Sequence, residues 1–230
     1  MNIYKKRRMM AGLIIALGIV AGIILHPAMW EGQPQPSDTT VEVMTGDAAK
    51  ALASLEVKGR APKSGYSRTQ FGDGWTLVGA CDTRNIILAR DLQDEVVIDC
   101  KVQRGTLDDP YTAKTIHFQR GASTSDDVQI DHVVALSDAW QKGAQLLTRE
   151  QREAFANDPL ELLAVEGAAN QQKGDGDAAT WLPPNKDFRC QYVARQIAIK
   201  KKYKLWVTNA EKEAMMRVLA ACPGQMLPGE

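Results

Sequence analysis

Three short patterns between Val128 and Gln172 constrain this chain more than any other feature. Val128–Val134 (VQIDHVV) is brief and β-branched, which favours a strand. Pro159–Val165 (PLELLAV) reads as a second strand, and Gly167–Gln172 as a short helix. Between the strands, Leu136–Ala144 is amphipathic and helical, and Thr148 with Gln151 makes a capping-box pattern opening a helix to about Ala156. With those intervening helices set aside, the order is strand, strand, helix. The first strand carries Asp131 and His132. The last helix carries Asn170 and, one turn on, Lys173.

The flanks are read in the same way. Gly46–Leu55 is alanine-rich and predicts a helix with Thr45 as its cap, while Gly59–Trp75 looks irregular. Asp82–Leu92 suits a helix, Glu95–Val102 a strand, and Thr115–Phe118 a second strand. The turn signal Asp108–Tyr111 between the two strands suggests a hairpin. Asp187–Tyr203 and Ala210–Ala221 are helical patterns separated by a short segment centred on Trp206.

Residues 1–30 form a targeting segment: Lys5, Lys6, Arg7 and Arg8 precede the apolar run Met9–Leu25. That run lies where a secretory h-region of about 7–15 residues meets a spanning helix of about 17–25. The expectation is an uncleaved membrane anchor, with a cleaved signal peptide as the alternative. Positive charge stays inside, so either places the body outside the cytoplasm, on the cell envelope if anchored and secreted if released. Residues 31–44 read as a linker and 45–230 as the folded domain. The four cysteines agree with export. No CxxC spacing suggests zinc, and the expected pairs are Cys81–Cys100 and Cys190–Cys222. Cys190 and Cys222 are equidistant from Trp206, so an antiparallel helix hairpin would bring them face to face.

Charge excludes a globally basic nucleic-acid binder. Setting aside the four N-terminal bases leaves 24 basic residues against 28 acidic ones. Phosphate contact must therefore come from a local patch. The chain has three histidines. His26 belongs to the targeting segment and His117 to a strand-like run, which leaves His132 for acid–base work. A neutral imidazole can take a proton from water. A carboxylate such as Asp131 and an amide oxygen such as Asn170 suit a hard divalent cation, which can offset charge on a phosphoryl group. Adjacent side chains on a strand point to opposite faces, so the strand should end or bulge if both Asp131 and His132 serve one site. Each residue also has an ordinary reading: His132 as a core histidine, Asn170 as a helix terminator, Lys173 before Gly174 as a helix C-terminus. Asp177 suits a cap before Trp181, and Lys200–Lys202 with Lys204 suit a solvated helix face.

The runs QIDHVVALSDAW, NDPLELLAVEGAANQQKGD and WLPPN, with GYSRTQFGDGW and CDTRNIILARDL upstream, closely resemble exported HNH endonuclease-family proteins of the ββα-metal superfamily. That family is related to the C-terminal nuclease domain of Gmr-type modification-dependent restriction enzymes. The HNH domain of RNA-guided Cas effectors has a similar Asp-His and late Asn-x-x-Lys arrangement. The resemblance covers nearly all of residues 50–222. It implies an α+β fold: a ββα-metal core with a small antiparallel sheet, surrounding helices and a C-terminal helical hairpin. It further implies His132 as general base, Asp131 and Asn170 as metal ligands, and Lys173 as a phosphate or structural contact. Arg68, Asp82 and Arg84 match recurring positions, with Arg84 the better phosphate contact. The family usually has Asn at the position of Glu161, where it helps hold the base-bearing loop. Glu161 accepts hydrogen bonds but cannot donate them when ionised. It either weakens activity, is tolerated, or is replaced in its role by Asn157. The resulting expectation is an endonuclease using Mg²⁺, with Mn²⁺ as the alternative, acting on DNA with low sequence specificity. RNA is the alternative substrate, and no protein partner is expected. The rival reading is a non-catalytic envelope protein that keeps the fold and binds nucleic acid or a partner.

Overall fold

The strand, strand, helix order is realised as an antiparallel pair followed at once by a helix. The computed structural model describes residues 46–122 and 124–228, so the targeting segment, the linker and Thr45 lie outside the described residues. Among the described residues the chain runs α1 (Asp47–Ser54), β1 (Leu77–Val78), β2 (Cys81–Asp82), α2 (Thr83–Asp91), β3 (Gln93–Ile98), β4 (Lys101–Asp108), β5 (Thr115–Gln119), β6 (Val128–His132), α3 (Leu136–Gln141), α4 (Arg149–Ala156), β7 (Leu162–Glu166), α5 (Gly167–Lys173), α6 (Arg189–Lys202) and α7 (Asn209–Ala220). None of these described helices is long and apolar enough to cross a membrane. The mixture of helices with small antiparallel sheets is the expected α+β class.

Local chemistry explains most boundaries. Asp82 caps α2 by accepting the Asn85 N–H at 2.8 Å. The Thr148–Gln151 capping box is formed at α4, and Thr208 with Glu211 forms another at α7. The segment Glu95–Val102 is not one strand. Asp99 and Cys100 take positive φ of 49° and 60°, which makes a two-residue hairpin turn between β3 and β4 with Ile98 opposite Lys101. No Gly or Asn marks that turn in the sequence. β4 and β5 pair around Asp109, whose carboxylate accepts the Thr112 N–H at 2.8 Å.

The β6–β7 pair, with His132 opposite Leu162 and Val128 opposite Glu166, is a wall between two cores. Val128, Ile130, Leu162 and Ala164 pack with Ile87, Leu88 and Phe118 beneath the three-stranded sheet. Leu163 and Val165 face the helical core of Phe71, Phe155, Tyr192, Ile197 and Met215. Period-two alternation thus buries both faces of β7.

Both expected disulfides are present, Cys81–Cys100 and Cys190–Cys222. The second joins α6 to the chain just past the end of α7, across the turn that holds Trp206. The solvated-face reading of the α6 lysines fails at Lys200, which is fully buried. Its ammonium lies 2.9 Å from Glu211 Oε1 and 3.5 Å from Asp138 Oδ2. Lys142 Nζ sits 2.7 Å from each of Asp138, Asp177 and Glu211, and Arg60 reaches Asp138 at 2.9 Å and Asp177 at 2.7 Å. Three cations and three carboxylates therefore neutralise one another, five of them buried in the helical half and Arg60 closing the cluster from the surface. Asp177 also caps as expected, accepting the Ala179 N–H at 3.0 Å.

Candidate active site

β6 ends at His132, which resolves the problem of two adjacent residues serving one site. The imidazole is largely buried, His132 being only 7% exposed. Nε2 lies 2.9 Å from the Ala156 carbonyl oxygen. A carbonyl can only accept, so Nε2 carries the proton and Nδ1 keeps a free lone pair. Trp75 stacks on the ring with centroids 5.7 Å apart and planes 6° from parallel. Burial, reinforced by the Arg68 and Lys173 charges, pushes the imidazole pKa down to about 3, so the ring is neutral at ordinary pH.

Asp131 is also buried, and both of its oxygens are engaged. Lys173 Nζ reaches Oδ1 at 3.0 Å, and the Tyr111 hydroxyl donates to Oδ2 at 2.6 Å. Burial drives the Asp131 pKa up, while Lys173 and Tyr111 oppose that shift. Lys173 donates in addition to the His132 carbonyl at 2.9 Å, and its side chain is inaccessible. Its ammonium is turned inward to brace the Asp-His pair and does not reach outward for a phosphate. Tyr111 escaped the sequence reading, where Asp108–Tyr111 signalled only a turn. Its hydroxyl is aimed by the packing of its ring against Trp181 and Tyr192.

Asn170 stands on α5. Its Nδ2 donates to Gln129 Oε1 at 2.9 Å, which leaves Oδ1 as the available acceptor. Asp131, His132, Asn170 and Gln129 line one cleft of about 540 Å³ together with Arg68 and Arg84. Among the described residues no group of three or more His, Cys, Asp or Glu side chains could hold a metal. The oxygens that converge are one carboxylate, whose two partners leave lone pairs unused, and one amide. That set fits a hard cation which keeps several waters, as Mg²⁺ does.

The remaining candidates separate. Arg68 is exposed at the cleft rim. Arg84 is partly anchored by the Val128 carbonyl at 3.2 Å. Asp82 acts as a helix cap. Asn157 does not stand in for position 161, since its Oδ1 accepts the Thr76 N–H at 2.9 Å instead. Glu161 is fully buried and accepts the Val134 N–H at 3.1 and 3.3 Å, directly under the loop after His132. It does not line the cleft. Burial raises its pKa well above the carboxylate range, with Asp131 adding to the rise and Lys173 opposing it. His117 lies on exposed β5 beside Thr106 at 3.3 Å, away from this cleft.

A family model described as GmrSD restriction endonucleases, C-terminal domain, matches residues 83–218, from the start of α2 into α7. An uncharacterized secreted protein of Arthroderma benhamiae is 38% identical over 194 residues, covering 82% of this chain and 92% of that protein. No solved structure matches the chain.

Proposed function

Because this chain belongs to the family of GmrSD restriction endonuclease C-terminal domains, we propose that it is a divalent-metal-dependent endonuclease hydrolysing DNA phosphodiester bonds with low sequence specificity. His132 is the general base, and its Nδ1 takes a proton from the attacking water. The Ala156 carbonyl keeps the other ring nitrogen protonated, so the basic nitrogen is always the same one. Asp131 and Asn170 Oδ1 would hold Mg²⁺ or Mn²⁺. When bound, that ion supplies positive charge for the phosphoryl oxygens and the leaving oxygen. Lys173 favours the ionised form of Asp131. Arg68 and Arg84 are the cations that meet the flanking phosphates. DNA is preferred over RNA because the family is named for restriction endonucleases. Two disulfides, the basic-then-apolar N-terminus and a relative described as secreted support a place outside the cytoplasm.

The observation that carries this reading is the single cleft in which an oriented, neutral imidazole meets a carboxylate and an amide oxygen. A plasmid-nicking assay tests it. Cleavage should require Mg²⁺ or Mn²⁺, stop in excess chelator, and vanish in His132→Ala protein whose circular dichroism shows it folded. Undiminished nicking by that variant, or full activity in chelator, rejects the assignment.

A further inference from the structure

The His132 ring is gripped by two chain segments that are themselves tied together. One supplies the Ala156 carbonyl to Nε2 at 2.9 Å, and the other supplies the Trp75 ring, stacked at 5.7 Å. The residues that follow these two are joined, with the Thr76 N–H donating to Asn157 Oδ1 at 2.9 Å. Asn157 is fixed in turn as the C-cap of α4, its Nδ2 donating to the Glu153 carbonyl at 3.1 Å. The Thr76 carbonyl accepts from Thr83 at the start of α2, at 2.9 Å from both its N–H and its hydroxyl.

The segment before Trp75 is docked on the same helix. Arg152 Nε donates to the Gln70 carbonyl at 2.8 Å, and the Phe71 and Phe155 rings lie 5.9 Å apart. Gly72, with φ of 101°, packs so closely that a Cβ there would come 3.1 Å from the Glu153 side chain. Trp75 and Ala156 therefore belong to one docked unit, a jaw that holds the imidazole by its edge and by its face.

We propose that Trp75 and Asn157 are positioning residues for the His132 base. Trp75 sets the plane of the imidazole, and the Asn157–Thr76 hydrogen bond keeps Trp75 in register with the carbonyl that selects the tautomer. This rests on the reading of His132 as the base. Neither residue acts on the substrate. Their effect is exerted through the ring, because an imidazole that rotates presents the wrong nitrogen, or the right nitrogen at the wrong angle.

The test uses the full chain with Trp75→Leu, Trp75→Phe, Asn157→Ala and Asn157→Asp, read by metal-dependent kcat and KM and by ring-nitrogen NMR of His132. Trp75→Leu and Asn157→Ala should lower kcat about 10- to 100-fold with KM little changed. Their ring-nitrogen signals should move from the Nε2–H pattern toward tautomer averaging. Trp75→Phe keeps a flat ring and should recover most of the loss, while Asn157→Asp keeps the acceptor for Thr76 but not the donor to the Glu153 carbonyl and should recover part of it. Wild-type kcat and wild-type nitrogen signals in Trp75→Leu and Asn157→Ala overturn the proposal. So does a loss of kcat that the Phe and Asp variants fail to recover while the nitrogen signals stay unchanged. Should Trp75→Leu or Asn157→Ala not fold, the conservative variants decide: an Nε2–H pattern in both supports the jaw, and averaging in both rejects it. If the wild-type chain cleaves nothing, the nuclease reading fails, and the nitrogen signals still report whether Trp75 and Asn157 fix the ring.

Discussion

At the scale of single residues, His132 has two jobs that pull in opposite directions. A base needs a lone pair within reach of water, whereas a fixed base needs packing on its other sides. The structure meets both by burying most of the ring while leaving His132 in the wall of the cleft. His132→Ala should therefore cost stability as well as cleavage, about 1–3 kcal/mol, because the Ala156 carbonyl loses its donor. Urea unfolding measures this loss, and an unchanged midpoint would mean the ring is less engaged than its contacts indicate. The acid limb of stability carries the same signature. An unfolded imidazole titrates near 6.5, whereas burial holds folded His132 near 3. Between those values the unfolded chain binds the extra proton, so this contribution is complete above pH 6.5 and is lost as pH falls toward 3. His132→Gln, which cannot titrate, should flatten that part of a stability–pH profile; an identical slope would exclude His132 as its source. Glu161 makes a sharper contrast. Glu161→Gln keeps an acceptor for the Val134 N–H and removes a charge that burial disfavours, so it should retain stability and nicking. Glu161→Ala strands the Val134 N–H and should cost about 1–3 kcal/mol. Equal losses in both variants would show that its charge, not its hydrogen bond, is what position 161 supplies.

At the scale of elements, the parts legible in sequence were those set by local chemistry. The Thr148–Gln151 box, the β6 and β7 runs and the spacing of Cys190 and Cys222 about Trp206 each carry their meaning within a short stretch of chain. What could not be read is direction. Lys173 and Lys200 look like ordinary charges near helix ends, yet Asp131, from a strand 42 residues earlier, draws one inward, and Glu211, on the next helix, draws the other. Tyr111, Trp75 and the Ala156 carbonyl complete the site from a turn, a glycine-rich loop and a helix C-terminus, and none of them belongs to a motif for chemistry. The hairpin staple is testable on its own. Replacing Cys190 and Cys222 together by Ser should lower stability by about 2–4 kcal/mol while leaving Cys81–Cys100 intact in a peptide map. A variant as stable as wild type would show that α6 and α7 hold by packing alone.

At the scale of the whole described unit, two cores meet at the β6–β7 wall, and the helical one holds five buried charges that exposed Arg60 completes to six. Lys142→Met should be among the most damaging substitutions in the chain, about 3–5 kcal/mol, because it leaves Asp138, Asp177 and Glu211 facing one another with too little positive charge. Wild-type thermal stability in the Lys142→Met variant would mean that water already enters the cluster. The same arithmetic of charge constrains descent. Arg60, Asp138, Lys142, Asp177, Lys200 and Glu211 come from several stretches of chain, and each has at least two partners of opposite sign, so exchanging any one of them leaves the cluster as a whole with an uncompensated charge. Lineages that diverge from this one should inherit these six positions as a block or abandon them together for apolar residues, so that the cluster leaves its mark as correlated change among distant alignment columns.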